Sequence, residues 1–481
     1  MNIFKDRFSE IKKASEPLYK SPKSVQETIE ILKISESGIF EVADGKYSKT
    51  YRFSDVNYAT RSEDEQESFF QRYCRCLNSF DCTFKITVNN KNKDMDVLRN
   101  EVMLKYRNDG FDKMRESYNR IIEEKILEGR QGIEQERYLT ITIERKNFEE
   151  AKAQFATIEA SMFRSFAELG SKLTPLTGNE RLKILHDYYR LGREDEFNFD
   201  IRHGRITGTD FRNEICNTRI KYHPDYFEDE GKVGRVLFIK KYPTYLSDRF
   251  FTELTFLPVH SVTSVDVVPV PKDLTMKMLQ KKYLGIESDI IKQQRTRNRN
   301  NDFSSDISYA TRQKKKDIEE IMNNVRENDE SLYYVSVTMI VMADDRDELE
   351  SICETVDSIA KGAGCAVDTC MYKQREAVNT TLPIGVRQIE TMRTMLTQSL
   401  AVLMPFNVQE LCDRNGIYYG VNQISKNIIV GNRKKLLNGN GFIFGVSGAG
   451  KSFQAKMEMG SVLLSTDDNV IAVDPMNEYE D

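Results

Sequence analysis

The segment Gly445-Val-Ser-Gly-Ala-Gly450-Lys451-Ser452 constrains this chain more than any other part of its sequence. It matches the pattern G-x-x-x-x-G-K-S, in which glycines allow successive backbone N–H groups to curve around an anion. The helix that follows such a loop directs its positive N-terminal end at the same anion. The motif therefore predicts a phosphate-binding loop between a strand and a helix.

Each residue type in this loop has a predicted role. We expect Lys451, the catalytic lysine, to neutralise the β- and γ-phosphates, and the Ser452 hydroxyl to coordinate Mg²⁺. The predicted cofactors are therefore ATP and Mg²⁺. The predicted nucleotide-binding residues are Gly445, Val446, Ser447, Gly448, Ala449, Gly450, Lys451, Ser452 and Phe453.

The residues around the loop predict a βαβ unit. Phe442-Ile-Phe444 is typical of a short strand entering the loop, and residues 453–464 are typical of a packed helix. Val470-Ile-Ala-Val473 is a continuous apolar run, which favours a buried parallel strand. Together these segments predict nucleotide binding by the intact fold.

Two carboxylates follow the second predicted strand, in the sequence Asp474-Pro-Met-Asn-Glu478-Tyr479. Parallel sheets bind ligands at the carboxyl ends of their strands, so both groups are candidate catalytic residues. Glu478 would position or deprotonate the attacking water, and Asp474 would act through the metal shell. The alternative is that Asp474 caps the turn before Pro475 while Glu478 is solvated.

Upstream of the loop, two similar units predict α+β structure. In the first, alternating apolar residues at 139–143 predict a strand, and an amphipathic helix then runs from Phe148 to Leu169 and stops at Gly170. In the second, a strand at 334–342 leads into a helix with Leu349, Ile352, Val356 and Ile359 inward, and then into a further strand. The pattern predicts related layers, with ferredoxin-like halves as one form.

Residues 274–330 are polar and carry two basic runs, at 292–301 and 312–316. Such runs favour contact with nucleic acid or anionic lipid, or else a solvated helical arm or linker. We favour the arm, because the acids Asp317, Glu319 and Glu320 lie nearby and no aromatic residue interrupts the first run for base stacking.

Charge and hydropathy narrow the function classes. Lys and Arg total 70 against 75 Asp and Glu, a net charge of −5, which excludes a globally basic nucleic-acid binder. No uncharged apolar run approaches the ~18 residues of a spanning helix, and the first residues lack the apolar core of a secretory signal. We expect a soluble, cytoplasmic protein with no transmembrane segment.

The pairing of GVSGAGKS with VIAVDPMNEY resembles the conjugation and type IV secretion ATPases of the TraC/TraE (VirB-four) class. Residues 416–433 are similar to the "Gly-x-Asn" hairpin that precedes the loop in that family. Leu403-Met-Pro-Phe406 resembles the segment leading into its motor domain. Residues 47–55 are similar to N-terminal segments of versions carried by mobile elements of Gram-positive bacteria. The resemblance covers most of the chain, and its specific motifs lie in the last ~70 residues.

The resemblance implies an ATPase that couples hydrolysis to DNA or protein transport. It implies a hexamer at the cytoplasmic face of the membrane, with secretion-channel membrane proteins as partners; DNA contact has weaker support. The fold class is α/β, an α+β N-terminal region followed by the first βαβ unit of a RecA-like P-loop domain. The predicted divisions are 1–33 tail, 34–273 α+β domain, 274–330 charged arm, 331–411 second α+β unit and 412–481 start of the ATPase domain.

One departure from the family is that only 30 residues follow Lys451. The Walker B acids and the arginine that a neighbouring subunit supplies are not among them. We therefore expect the N-terminal portion of a longer ATPase, inactive alone. Two alternatives remain open: a non-catalytic assembly module of a secretion channel, and a DNA-pumping motor of the FtsK/HerA type.

Overall fold

A computed structural model of the protein describes residues 22–92, 99–100, 102–128, 133–243, 245–299, 309–408, 411–413, 416–422, 427–446 and 448–475. They form a 13-stranded antiparallel sheet, a separate two-stranded hairpin and the helices that surround them.

The strands are β1 Lys33–Ile34, β2 Ile39–Ala43, β3 Lys46–Phe53, β4 Thr83–Asn92, β5 Ile133–Glu144, β6 Leu173–Pro175, β7 Ile220–Tyr222, β8 Phe227–Asp229, β9 Lys232–Lys241, β10 Ser261–Val270, β11 Leu332–Ala343, β12 Ala366–Thr369, β13 Arg393–Leu396, β14 Ile417–Val421 and β15 Ile428–Gly431. The helices are α1 Glu63–Asn78, α2 Asp112–Glu128, α3 Phe148–Leu169, α4 Gly178–Tyr189, α5 Ile201–Thr207, α6 Phe211–Ile215, α7 Arg249–Thr255, α8 Lys272–Arg299, α9 Tyr309–Glu327, α10 Arg346–Gly362, α11 Gln374–Thr381, α12 Thr397–Ala401 and α13 Lys451–Ser465.

The large sheet contains the same arrangement twice. Its order is β1-β2-β3-β5-β4-β10-β11-β9-β8-β7, with β6 beside β3, β12 beside β9 and β13 beside β11. The first unit, β3-α1-β4-β5-α3-β6, has the spatial order β6-β3-β5-β4. The second, β9-α7-β10-β11-α10-β12, has the order β12-β9-β11-β10. Both are split βαββαβ units of the ferredoxin-like kind, so the predicted α+β class is confirmed.

The two units join edge to edge through β4 and β10. These strands pair antiparallel, in a register that runs from Phe84 opposite Val267 to Asn90 opposite Ser261. Because β10 also pairs with β11, the sheet crosses the divisions that the sequence analysis placed near residues 273 and 331.

Four helices, α1, α3, α7 and α10, cover one face of the sheet and enclose the main apolar core. α3 shows why they form. The Asn147 side chain accepts a hydrogen bond from the Glu150 N–H at 2.9 Å, and Gly170 ends the helix with φ +79°. The predicted inner residues Phe155 and Phe166 are buried. The prediction of this helix, including its stop, is confirmed.

A strap, residues 380–388, crosses the opposite face of the sheet, where the strands carry polar side chains. Ser48 of β3 donates to the Ile384 carbonyl at 2.6 Å, and Thr142 of β5 donates to that of Gly385 at 3.0 Å. Ser264 of β10 donates to the Thr381 carbonyl at 2.5 Å. The strap therefore contacts both βαββαβ units through its backbone.

Two cations also hold the strap. The buried ammonium of Lys85 on β4 donates to the carbonyls of Thr380 and Val386. Arg181 of α4, also buried, donates to those of Pro383 and Ile384 at 3.2 and 3.3 Å. Burial lowers the pKa of Lys85 to about 8 even though Asp266 lies 3.8 Å from it. These buried donors are satisfied mainly by backbone carbonyls.

The charged arm is a pair of helices, α8 and α9. At the base of the arm, Lys272 forms an ion pair with Asp329 at 2.6 Å. Between the two helices, Lys315 forms an ion pair with Glu287 at 3.1 Å. The two helices together carry thirteen basic and seven acidic residues, a net charge of +6 in a chain of net charge −5. The described part of residues 274–330 is therefore mainly helical, whereas its role as an arm or linker and its contact with nucleic acid or lipid stay predictions.

The structure differs from the predicted βαβ unit around the phosphate loop. The helix is present as α13, but residues 442–444 and 470–473 form no strand. Phe444 and Ile471 are 87% and 92% exposed. An apolar run becomes a strand only when another strand satisfies its backbone, and neither segment pairs with a strand within the described ranges. The predicted strands are therefore wrong for this structure, whereas the hairpin predicted at 416–433 is confirmed as β14 and β15.

Replacing Gly385 by alanine should destabilise the fold. Gly385 has φ +96°, and a Cβ there would lie 2.6 Å from Ser48 Cβ and from Thr142 Oγ1. Overpacking and backbone strain together predict a loss of about 2–4 kcal/mol in the free energy of unfolding, measured by urea denaturation. The control is Gly285→Ala, because that exposed glycine of α8 has no neighbour within 4 Å of an added Cβ. Equal stability of the two variants would contradict the role of the strap.

Replacing Asp229 by asparagine should change how stability depends on pH. Asp229 is buried at the end of β8, and burial raises its pKa to about 7 despite a 2.7 Å hydrogen bond from Asn217. The wild type therefore loses stability as pH rises from about 4 to 7, since the folded state must ionise a buried carboxyl. Asp229→Asn should match the wild type near pH 4 and exceed it by on the order of 4 kcal/mol above pH 7, since each pKa unit is worth about 1.4 kcal/mol. Urea unfolding at both pH values checks this, and a constant difference would contradict it.

Candidate functional site

Two glycines of the loop that precedes α13 have a left-handed backbone. Gly448 and Gly450 adopt φ +81° and +82°, in the left-handed region that residues with a Cβ seldom occupy. Gly450 is the N-cap of α13, so the helix begins directly at Lys451. The free N–H groups of the first helical turn therefore lie next to the loop.

Lys451 folds back across its own loop. Its Nζ donates to the carbonyl of Gly445 at 2.9 Å and to that of Val446 at 3.0 Å. A Cβ at Gly445 would lie 3.2 Å from Ala449 Cβ, so the two ends of the loop are in close contact. The structure thus brings together the ammonium group, the loop carbonyls and the helix N-terminus.

Three of the other predicted site residues lie in α13 or in the segment that follows it. Ser452 and Phe453 are exposed in the first turn of α13, and Asp474 is half-buried in the irregular segment after residue 473. Ser447 and Glu478 lie outside the described residues. The predicted roles of Asp474 and Glu478 stay predictions.

The residues present fit a nucleotide and its metal ion. The curled loop and the N-terminus of α13 offer backbone N–H donors for phosphate oxygens. The Lys451 ammonium donates to two carbonyls of its own loop. The next residue, Ser452, has an exposed side chain with a hydroxyl group. Gly448 and Gly450 have open space where a Cβ would stand, so the loop is accessible from solvent.

The β14–β15 hairpin fixes the middle of α13. The Tyr419 hydroxyl donates to Glu458 of α13 at 3.0 Å, and Arg433 pairs with the same carboxylate at 2.7 Å. Arg433 Nε also donates to the Tyr419 hydroxyl at 3.0 Å. Sequence reasoning found the hairpin but missed this triad, because hairpin register was needed to bring Tyr419 and Arg433 to the same place.

Two arginines from the first unit hold the C-terminal end of α13. Arg107 donates to the Ser465 carbonyl at 2.8 Å and to Asp467 at 2.6 Å. Arg115, which is fully buried, donates to the Leu464 carbonyl at 3.1 Å. Sequence reasoning missed both, because they lie about 350 positions before their partners and no motif marks them.

Comparisons with known proteins leave the family open. A scan against models of protein families found no match to this chain, and a search of curated proteins also found none. Within the described ranges, no helix is both long and apolar enough to cross a membrane. In the same residues, no group of three or more His, Cys, Asp or Glu side chains is arranged to hold a metal ion.

Disconnecting the triad should loosen the hairpin from α13. Tyr419→Phe removes the hydroxyl that Arg433 and Glu458 share, and losing hydrogen bonds to charged groups predicts a loss of about 1–2 kcal/mol in the stability of this contact. Amide hydrogen exchange of residues 451–465 should become faster. The wild type is measured in parallel, and equal exchange in the two proteins would contradict the role of Tyr419.

Proposed function

We propose that this chain is the ATP-binding N-terminal portion of a conjugative transfer or type IV secretion ATPase. In the intact protein, ATP hydrolysis would be coupled to the transport of DNA or protein. One observation carries the proposal: the Lys451 ammonium spans the carbonyls of Gly445 and Val446 across a loop with left-handed glycines at a helix N-terminus. The resemblance of GVSGAGKS and VIAVDPMNEY to that class supplies the biological context.

The contacts of Lys451 suggest how this chain would bind phosphate. Its ammonium would exchange the two loop carbonyls for the oxygens of the β- and γ-phosphates, which carry full negative charge. The loop N–H groups and the N-terminus of α13 would orient those oxygens. Ser452 would hold Mg²⁺, which stabilises charge during phosphoryl transfer. Asp474 and Glu478 are the candidates for the metal shell and for positioning water.

The surroundings of the loop support a larger motor domain in the intact protein. Phe442, Phe444, Ile471 and Val473 are each at least 84% exposed, although large apolar side chains are usually buried. Further strands that pair with these two segments would cover them and complete a RecA-like sheet. We propose that the double βαββαβ sheet is the part that docks on secretion-channel membrane proteins, in a hexamer peripheral to the cytoplasmic membrane.

A second candidate function is a non-catalytic assembly module of a secretion channel. In that case the segments at 442–444 and 470–473, which form no strand among the described residues, would stay without the partner strands that an ATPase core needs. A DNA-pumping motor of the FtsK/HerA type shares the loop, so that DNA stimulation of hydrolysis in the intact protein would separate it from the primary proposal.

Replacing Lys451 by alanine should abolish nucleotide binding. The wild-type chain and the Lys451→Ala and Lys456→Ala variants are titrated with a fluorescent ATP analogue in the presence of Mg²⁺. Lys456 is the matched control, because it lies on the same helix about 1.4 turns further along. We expect saturable binding by the wild type and by Lys456→Ala, and none by Lys451→Ala.

Thermal unfolding of all three proteins checks that the substitutions leave the fold intact. Binding by Lys451→Ala that equals the wild type would refute the assignment of the phosphate loop. Absence of saturable binding in the wild type itself would favour the assembly module.

A further inference from the structure

Side chains from another part of the chain contact the last turn of α13. The carbonyls of Leu464, Ser465 and Thr466 accept hydrogen bonds from Arg115 and Arg107 at 3.1, 2.8 and 3.2 Å. Terminal carbonyls of a helix have no partner within the helix, and its C-terminus carries partial negative charge. Two guanidinium groups therefore satisfy both the hydrogen bonds and the charge of this end.

A turn of acidic residues holds the side chain of Arg115 and the backbone of Arg107. Asp109 and Asp112 each accept from Arg115, at 2.5 and 2.7 Å. The second oxygen of Asp112 accepts from the Asn108 N–H at 2.9 Å, while its first also accepts from the Arg107 N–H at 3.0 Å. Arg115 holds the pKa of Asp109 below its usual range, so this carboxylate stays charged. The Arg115 guanidinium is thus held by two carboxylates beside α13, and the Arg107 backbone is held by one of them.

The same segment also packs against the hairpin beside α13. Ile122 and Ile126 of α2 form an apolar cluster with Ile428 and Val430 of β15. Residues 102–128 therefore contact the phosphate-loop helix at its end and the hairpin that fixes its middle. This segment belongs to the first βαββαβ unit, where it connects β4 with β5.

We propose that Arg107 and Arg115 are positioning residues for the phosphate loop, and that residues 102–128 link nucleotide binding to the first βαββαβ unit. The inference rests on the proposed nucleotide binding by Lys451. α13 has 15 residues and is therefore about 22 Å long, so neither arginine touches the phosphates. They act through the helix, by fixing the end from which its N-terminal loop projects.

The docking of residues 102–128 and the binding of ATP should each stabilise the other. If docking of residues 102–128 favours the conformation of α13 that binds ATP, ATP must stabilise that docking by the same free energy. ATP should then slow amide exchange in residues 112–128, far from the phosphates. Loss of the contact should weaken ATP binding by roughly tenfold, within the usual range for coupled sites.

The experiment compares Arg107→Gln, Arg107→Lys and the control Arg120→Gln in the full chain. Arg107 is partly exposed, so its loss should not prevent folding, and Arg120 is exposed on α2. Binding of a fluorescent ATP analogue and amide exchange with and without ATP are measured for each protein. We expect Arg107→Gln to bind ATP about tenfold more weakly and to lose the ATP-dependent protection of residues 112–128. Arg107→Lys, which keeps the charge, should recover part of both effects.

Each outcome separates the two proposals. Suppose that the wild type binds ATP, and that Arg107→Gln and Arg120→Gln have the same ATP affinity and the same ATP-dependent protection of residues 112–128. The positioning role is then wrong and the proposed function stands. If the wild type does not bind ATP, the proposed function is wrong. Exchange of residues 451–465 without nucleotide then still tests the contact, because Arg107→Gln should exchange faster than Arg120→Gln, and equal rates would overturn it.

Discussion

The structure depends on the recognition of one backbone segment by the polar face of a sheet. Hydroxyl groups of Ser48, Thr142 and Ser264 donate to carbonyls of the strap, and the ammonium of Lys85 does the same. A buried strand face would normally be covered by apolar side chains. Here a row of hydroxyls donates to backbone carbonyls of the strap instead. Because the donors come from both βαββαβ units, the strap also fixes one unit relative to the other.

The conformation of the phosphate loop depends on residues close together in sequence, whereas its position depends on residues far away in the chain. The loop is determined by its own residues, since Gly448 and Gly450 supply the left-handed backbone and Lys451 closes it through contacts five and six residues away. The position of that loop relative to the sheet depends on Arg107 and Arg115, which come from the first unit. A local motif can therefore be complete while its placement is set elsewhere in the chain.

This difference explains what the sequence could predict. The helical spacing of apolar residues and the glycine stop identified α3, because both lie within one stretch of chain. The loop motif identified the start of α13. The strap could not be predicted, because it is held through its own backbone carbonyls and the side chains that donate to them lie on separate strands. The apolar run at 470–473 predicted a strand, but a strand also needs a neighbour, which composition does not reveal. The resemblance to secretion ATPases stays a hypothesis that rests on the motifs.

The joint between β4 and β10 gives the sheet a direction of greatest mechanical strength. Seven residue pairs hold these strands together, and hydrogen bonds of an antiparallel pair lie perpendicular to the strands. A pull along the strands loads all of these bonds in shear at once, whereas a pull across them opens the pairs one after another. A motor anchored to this sheet would therefore transmit force best parallel to β4 and β10. The orientation of those strands would set the axis along which such a machine pushes.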